Sequence, residues 1–305
     1  MYLCMPYNTK CMPELPEVET VRSGLQRLLP GRIVRSATND TAKSFPNTAA
    51  DVEQFLVGSE ITAVRRRAKV LLIDLSSDYT LVIHLKMTGQ MVFVSPETRF
   101  GAGHPNDSLI HQLPDKSTRV TLEFTDGSQL FFNDQRKFGW MRLMPTVEVP
   151  NIDFMQKVGP EPLEIDFTSE VLYQRLQRRK NTNIKAAILD QTVLAGVGNI
   201  YADESLWGAQ IHPRTLVRDI SESHIAKLHH ELQYVLNLAI EQGGSSNHTY
   251  VNAEGKKGSY MHFARVFRRD GQTCPRHPDV IIEKIKVAGR GTHICPVCQP
   301  EPRLK

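Results

Sequence analysis

The run Met12-Pro13-Glu14-Leu15-Pro16-Glu17 places one proline beside two carboxylates. A proline exposed as the first residue offers a secondary amine, which can attack a sugar carbon and form an iminium ion without further activation. Glu14 and Glu17 could then move protons around the attacked carbon. In the printed chain the nitrogen of Pro13 is an amide, which has no such reactivity. We therefore expect residues 1–11 to be absent from the active protein, and the active form to begin at Pro13.

A second group of residues has the spacing of metal ligands. Cys274-x2-His277 is followed by seventeen residues and then by Cys295-x2-Cys298. Each short pair can form one knuckle, and three thiolates with one imidazole complete a tetrahedron around Zn²⁺. Four protein ligands leave no open position, so the pattern predicts one structural zinc. His293 is an alternative fourth ligand.

Two further polar sites have an ordinary interpretation and a functional one. Lys69 follows three arginines and precedes an apolar run, so the pattern alone favours a solvated basic strand edge. Asn199, in Gly196-Val197-Gly198-Asn199, is typical of a simple helix cap. A glycine-rich turn that opens a helix also presents backbone N–H groups to an anion.

Composition restricts the class of protein. The chain has 305 residues, 40% of them hydrophobic and 23% charged, which is enough for two domains. No apolar run approaches the roughly 18 residues that a membrane span needs, and no signal peptide is visible. Residues 256–305 contain 11 Lys/Arg against 4 Asp/Glu, which indicates a polyanion partner at that end. Cysteines at ligand spacing fit a reducing cytoplasm.

The first half of the chain predicts one helix and several strands. Apolar residues recur at helical spacing from Pro16 to Leu29, where Pro30-Gly31 ends the run. The strand-like runs are Val70–Leu75, Thr80–Leu85, Met91–Val94, Arg119–Phe124 and Gln129–Phe132. Many short strands with turn signals indicate a sandwich or barrel. Ser95 to Ser117 is predicted to be a polar loop.

The second half is predicted to be helical. Thr168 or Ser169 can cap a helix that runs through Lys180, and Ser221 can cap another that Gly243-Gly244 closes. Leu194 to Gln210 predicts a glycine-rich turn and a short helix. The predicted fold class is α+β.

An ordered set of motifs resembles the formamidopyrimidine-DNA glycosylases, from Met12 to about Gln299. After the opening run, the motifs are Arg65–Lys69, Asn133–Trp140, Gly159–Leu163, Gly196–Tyr201 and Gly289–Cys295. The resemblance implies a catalytic N-terminal helix and β-sandwich, a helix–two-turn–helix domain and a β-hairpin zinc finger. The corresponding boundaries are 12–147 for the first domain, 148–163 for a linker, 164–262 for the second domain and 263–305 for the finger.

The same resemblance assigns the chemistry to four residues. Pro13 would attack the sugar C1′, and Glu14 would protonate the ring oxygen and assist Schiff-base formation. Lys69 would bind a phosphate beside the lesion and help β-elimination. Arg290 would grip the phosphates that flank the lesion and act in δ-elimination.

Three residues would replace the damaged nucleotide in the helix. Met87, Arg136 and Phe138 match positions that fill the gap left by the extruded base. Arg136 would bond the orphaned cytosine, and Phe138 would wedge the stack. Since extrusion of a base costs a few kcal/mol, groups that fill the gap are physically required.

Further positions match DNA contacts of the family. Asn199 would contact a phosphate, while Lys180 and Lys185 would contact DNA or support the lesion pocket. Ser117 stands where many members have a DNA-contacting histidine. Asn247-His248 replaces a more usual apolar-Arg pair at the entry to the loop that covers the base. The last two departures affect lesion preference more than the basic reaction.

The expected function is a bifunctional glycosylase and abasic-site lyase that removes 8-oxoguanine and formamidopyrimidines from duplex DNA. The expected partner is double-stranded DNA, and the protein is expected to be a monomer in a bacterial cytoplasm, associated with the nucleoid through DNA. One alternative is an endonuclease VIII-like glycosylase for oxidised pyrimidines. Another is a damaged-DNA-binding protein without catalysis, if residues 1–12 remain attached.

Overall fold

The computed structural model describes residues 13–104, 106–245 and 260–302. The first element is helix α1 (Leu15–Leu28), whose apolar residues Val18, Val21 and Leu25 are all buried. A capping box joins Glu14 and Glu17 at its start. Such a box satisfies backbone donors that the first helical turn leaves without partners. The predicted helix is confirmed, shifted by one residue.

Nine strands and a short helix follow within the described part of the N-terminal half. In chain order they are β1 (Val34–Asn39), α2 (Ala49–Phe55), β2 (Ile61–Arg67), β3 (Val70–Leu75), β4 (Tyr79–His84), β5 (Gly89–Val94), β6 (Arg99–Gly103), β7 (Thr118–Phe124), β8 (Gln129–Asp134) and β9 (Trp140–Pro145). They form a five-stranded sheet of order β1-β7-β8-β5-β6 and a four-stranded sheet of order β2-β3-β4-β9. All neighbours pair antiparallel.

One hydrophobic core joins α1 to both sheets. Ile73 and Ile83 contribute from the four-stranded sheet, and Phe93 and Phe132 contribute from the five-stranded sheet. This is the predicted sandwich, and the five predicted strands are observed within two residues at each end. The predicted loop Ser95–Ser117 is partly wrong, because it contains β6 and a 3-10 turn at Asp107–Leu109.

The C-terminal half consists of helices and a final hairpin. In chain order they are α3 (Asp153–Lys157), α4 (Ser169–Gln177), α5 (Ile184–Leu189), α6 (Asn199–Gly208), α7 (Glu222–Glu241), α8 (Tyr260–Phe263), β10 (Glu283–Val287) and β11 (Arg290–Ile294). Thr168 and Ser221 cap α4 and α7 through their side chains, as predicted. Helix α4 ends at Gln177 rather than at Lys180.

The segment predicted as a linker, 148–163, contains most of a 3-10 turn and all of α3. The boundaries at 147, 163 and 262 remain predictions. Among the described helices, none combines the length and the apolar content that crossing a membrane requires.

Candidate functional site

Glu14 lies between the two halves of the protein. Its Oε1 accepts a hydrogen bond from the Ile200 amide over 3.0 Å, at the start of α6. The amide of Leu15 donates to the carbonyl of Gly196 over 3.0 Å, so α1 is anchored on the glycine-rich turn. Pro13, which precedes Glu14, is buried.

Glycine is required at two positions of this turn for two different physical reasons. Gly196 has φ of +77°, a backbone conformation that favours glycine. A Cβ on Gly198 would lie 2.5 Å from Glu14 Oε1, so only glycine lets the turn approach this carboxyl. The turn therefore receives the acid rather than a nucleotide.

The electrostatics of Glu14 suit proton transfer. Burial raises the pKa of its carboxyl to about 7, the charge of Glu17 acts in the same direction, and Lys69 opposes both. Glu14 Oε2 is buried and has no hydrogen-bond partner within the described protein. A carboxyl with a pKa near neutrality and one free oxygen can donate or accept a proton at physiological pH.

Glu17 has a supporting role. Its Oε1 accepts hydrogen bonds from the Tyr201 hydroxyl over 2.6 Å and from the Ser245 amide over 2.8 Å, while its Oε2 accepts from the Glu14 amide. Burial, together with the nearby carboxylates, raises the pKa of Tyr201 well above its usual value, so the phenol stays protonated. Glu17 thus ties the N-terminal turn to α6 and to Ser245, which follows α7.

Lys69 lies in the turn between β2 and β3. Its Nζ donates to the carbonyl of Val197 over 3.1 Å, so the amine also reaches the glycine-rich turn. The side chain is buried, and burial lowers the pKa of Lys69, as does Arg290, while Glu14 and Glu17 oppose the shift. Lys69 and Glu14 therefore face one buried location from two different elements.

Glu161 holds the Lys69 turn in shape, and sequence reasoning gave it no role. Its carboxylate accepts from Arg66 and Arg67 over 2.8 Å each and also from the Ala68 amide. Ala68 has φ of +52°, which costs about 1–2 kcal/mol for a residue with a Cβ. The sequence offered one signal for this role: Glu161 is an acidic residue in a proline-rich motif, and the chain also contains a run of three arginines that such a residue could pair with.

Arg290 and Asn199 come together at the finger hairpin. Arg290 begins β11 and is exposed, and the neighbouring Gly291 carbonyl accepts from Asn199 Nδ2 over 3.1 Å. Asn199 Oδ1 is buried and has no hydrogen-bond partner among the residues that the structure describes. The hairpin tip, which holds Ala288 and Gly289 at positive φ, presents Arg290 close enough to Lys69 to affect its pKa.

Met87, Arg136 and Phe138 form one group, although no spacing relates them. Arg136 donates to Met87 Sδ over 3.2 Å, and its guanidinium lies 4.9 Å from the centre of the Phe138 ring. Phe138 is 46% exposed, which is unusual for a large aromatic residue. Asp134, buried beneath them, accepts from the amides of Arg136 and Phe138 over 3.1 and 2.8 Å.

The remaining predicted positions differ in exposure. Lys180 is exposed just beyond α4. Lys185 is fully buried and paired with Asp203 over 2.6 Å, so it can support the site but has no exposed surface for contact with DNA. Ser117 is also buried, and its hydroxyl donates to Asp115 over 2.6 Å, which makes it unsuited to replace a DNA-contacting histidine.

The predicted metal ligands converge. The donor atoms of Cys274, His277, Cys295 and Cys298 all lie within 4.8 Å of one another. Two of these separations are 3.7 Å, between the sulfurs of Cys274 and Cys298, and 3.2 Å, from Cys298 to His277 Nδ1. Bond lengths of about 2.0–2.3 Å in a tetrahedron produce separations of this size. The residues therefore fit zinc.

His293 is not part of this cluster. Its Nδ1 lies 3.1 Å from Asp203 and its Nε2 lies 3.3 Å from Asp270. His277 is consequently the fourth donor on this geometry. Asn247 and His248 lie outside the described residues, as do Cys4 and Cys11.

Three family models match the chain in order. The formamidopyrimidine-DNA glycosylase N-terminal domain matches residues 12–141. The formamidopyrimidine-DNA glycosylase H2TH domain matches residues 158–251, and the zinc finger found in FPG and IleRS matches residues 279–300.

Curated relatives match over nearly the whole chain. The formamidopyrimidine-DNA glycosylase of Pediococcus pentosaceus is 42% identical over 288 residues, covering 94% of this chain and 99% of its own. The formamidopyrimidine-DNA glycosylase of Latilactobacillus sakei subsp. sakei is 41% identical over 294 residues, covering 96% and 100%.

Solved structures agree with this fold. A mutant of the Lactococcus lactis enzyme in complex with DNA containing Fapy-dG superposes with a TM-score of 0.82 at 36% identity, covering 95% of this chain and 100% of that one. The Lactococcus lactis enzyme with DNA containing an abasic site gives a TM-score of 0.81 at 34% identity, covering 94% and 100%.

Proposed function

The chain belongs to the formamidopyrimidine-DNA glycosylase family, and we propose that Pro13, Glu14, Lys69 and Arg290 carry out its chemistry. The protein is a DNA glycosylase that removes oxidised purines, and abasic-site lyase activity accompanies base removal in this family. Duplex DNA is its partner. We propose 8-oxoguanine and ring-opened formamidopyrimidines as the preferred lesions.

The observation that carries the proposed mechanism is the buried Glu14 carboxyl directly after Pro13. In the first step the Pro13 amine attacks C1′, the N–C1′ bond forms and the glycosidic bond breaks, so the base leaves with the bonding electrons. The departing base takes up the N–H proton of Pro13, which restores a lone pair on the nitrogen. Glu14, whose pKa burial raises to about 7, then donates its proton to the sugar ring oxygen. Ring opening lets the amine lone pair complete the iminium ion, which is the Schiff base.

The second step requires groups near the phosphates. Loss of a C2′ proton from the iminium first breaks the C3′–O bond to the 3′ phosphate. Loss of the C4′ proton then breaks the C5′–O bond to the 5′ phosphate, which leaves a one-nucleotide gap. Lys69, whose Nζ donates to the Val197 carbonyl and whose charge interacts with Glu14, supports β-elimination. Arg290, exposed at the tip of the hairpin, supports δ-elimination.

We infer that DNA lies in a cleft between the sandwich and the helices and that residues from both sides of the cleft bind it. The group of Met87, Arg136 and Phe138, of which the last two are exposed, fills the space of the extruded nucleotide. Asn199 binds a phosphate from the helical side, and Lys180, which is exposed, contacts the DNA. Phosphate contacts fix the register of the protein on the duplex, and the filling groups stabilise the extruded state.

The zinc centre is structural. Cys274, His277, Cys295 and Cys298 hold one Zn²⁺, which folds the finger that carries Arg290. A closed set of four protein ligands leaves the metal no open coordination position for a substrate.

We propose that the active form begins at Pro13 and that the extension, when attached, blocks catalysis. Met12 precedes a small proline, so a methionine aminopeptidase could expose the amine after initiation at Met12. The domains are proposed as 12–147, 164–262 and 263–305. A monomer is proposed, located in the bacterial cytoplasm and bound to the nucleoid through DNA.

Duplex oligonucleotides that carry single defined lesions test the function. Protein that begins at Pro13 should cleave 8-oxoguanine and formamidopyrimidine duplexes and leave phosphate at both ends of a one-nucleotide gap. Faster cleavage of oxidised pyrimidines would favour the endonuclease VIII-like alternative. Binding without cleavage by the same protein would favour a binding protein without catalysis.

A further inference from the structure

A buried ion pair joins the helical domain to the finger hairpin. Asp203, on α6, and Lys185, on α5, are both fully buried, and Asp203 Oδ1 accepts from Lys185 Nζ over 2.6 Å. Removing two charged groups from water costs free energy, and apolar residues of similar size often stabilise a protein equally well. Stability alone therefore does not explain the presence of this ion pair.

Both partners also bind the hairpin strand that begins with Arg290. Asp203 Oδ2 accepts from the His293 amide over 2.9 Å. Lys185 Nζ donates to Thr292 Oγ1 over 2.7 Å and to the Gly291 carbonyl over 3.3 Å. Three consecutive residues of β11 are thus held by one ion pair, directly next to Arg290.

The same face of α6 holds the other phosphate ligand. Asn199 lies four residues before Asp203, so the two side chains lie on one face of the helix. Asn199 Nδ2 donates to the same Gly291 carbonyl over 3.1 Å. The carbonyl of Gly291 consequently connects Asn199, Lys185 and the peptide that follows Arg290.

We propose that Asp203 is a positioning residue that sets the distance between Arg290 and Asn199, so that both grip the phosphates around one lesion. The inference rests on the proposed function, in which these two residues bind phosphates. Asp203 touches no substrate. It acts by fixing β11 on α6 through the backbone of His293 and through Lys185.

The test compares Asp203→Asn with two other variants. Asp203→Asn alone leaves the buried charge of Lys185 without a counter-charge and could unfold the protein. The double variant Lys185→Gln with Asp203→Asn removes both charges, so the positioning role can still be tested. Asp270→Asn is the matched control, since Asp270 touches the same His293 from the exposed side over 3.3 Å. Zinc content and thermal unfolding are measured for each, and only folded variants with one zinc per chain are compared.

Two measurements report the position of Arg290. The first is the salt dependence of binding to a duplex with a tetrahydrofuran abasic analogue, whose slope should fall by about one when one phosphate contact is lost. The second is the ratio of δ- to β-elimination product, which should fall several-fold in both variants, while the first base excision by Asp203→Asn stays near the parent rate. A merely structural role would change thermal unfolding alone.

The results separate the two proposals. If Asp203→Asn and the double variant keep the parent slope and the parent product ratio, the positioning role is wrong. It is also wrong if Asp270→Asn changes both by the same amount, since general loosening of the finger would then suffice. If the parent binds the analogue but excises no base, the proposed chemistry is contradicted, and the binding slope still tests Asp203.

Discussion

The backbone amide of Ile200 donates a hydrogen bond to Glu14 Oε1 over 3.0 Å, although 186 residues separate them. The proposed acid of the N-terminal domain is thereby fixed by the first turn of the helix that begins at Asn199. Placement of the acid therefore depends on contact between the N-terminal domain and α6.

Loss of the Glu14 proton should abolish base removal and leave binding intact. Glu14→Gln retains an oxygen for the Ile200 amide but cannot donate the proton at the sugar. General acid–base groups contribute roughly 10²–10⁴ in rate. Single-turnover excision of 8-oxoguanine should fall by about that factor, with DNA affinity unchanged. Excision at the parent rate would show that Glu14 transfers no essential proton.

Catalysis should also depend on pH through Glu14. Burial raises the pKa of this carboxyl to about 7, so the protonated, donating form is lost as pH rises through that value. The pH dependence of kcat/KM reports groups of the free enzyme. Because the attack on C1′ requires a neutral Pro13 amine, kcat/KM should first rise with pH and then decrease as Glu14 loses its proton, with a maximum near neutral pH. A value that still rises well above this pH would contradict a donor with this pKa.

Zinc should depend on His277 and not on His293. Elemental analysis of Cys298→Ser and His277→Ala should show zinc loss, and DNA binding should fall with it, because structural zinc sites couple to folding. His293→Ala is the control and should retain one zinc per chain, since His293 lies against Asp203 instead. One zinc per chain in His277→Ala would show that another residue supplies the fourth ligand.

Arg290 and Lys69 should each account for about one phosphate contact. The slope of binding against salt should fall by about one in Arg290→Gln and by about one in Lys69→Gln. Arg65→Gln is the matched control from the same arginine run, because Asp74 neutralises its guanidinium within the protein. An unchanged slope in Arg290→Gln would remove this residue from the DNA interface.

Local pattern predicted the elements whose periodicity is clear. The predicted bounds of β3 agree with the structure at both ends, and α7 agrees with the helix that Ser221 caps and Gly243-Gly244 closes. Strand β6 was missed, because Arg99–Gly103 contains two glycines and no alternation of polar and apolar residues. Arg99–Gly103 forms a strand because it pairs antiparallel with β5, and this pairing cannot be seen in the sequence of β6 itself.

The sequence predicted the residues of the candidate site but not the hydrogen bonds and ion pairs that hold them in place. The resemblance named Lys69, Lys185 and Arg290, yet neither Glu161 nor Asp203 was foreseen. Glu161 meets Arg67 across 94 residues of chain, and such a pair leaves no periodic signal in a single sequence. The resemblance puts Ser117 where many members have a DNA-contacting histidine, whereas the structure buries this side chain.

The most direct test of the account is borohydride trapping of Pro13 to DNA. Protein that begins at Pro13 should form a covalent complex with a duplex containing 8-oxoguanine, because its free amine forms the iminium that borohydride reduces. Protein whose residues 1–12 are verified as intact by mass should bind the same duplex and form no complex. Equal trapping by the intact chain would contradict the assignment of Pro13 as the nucleophile.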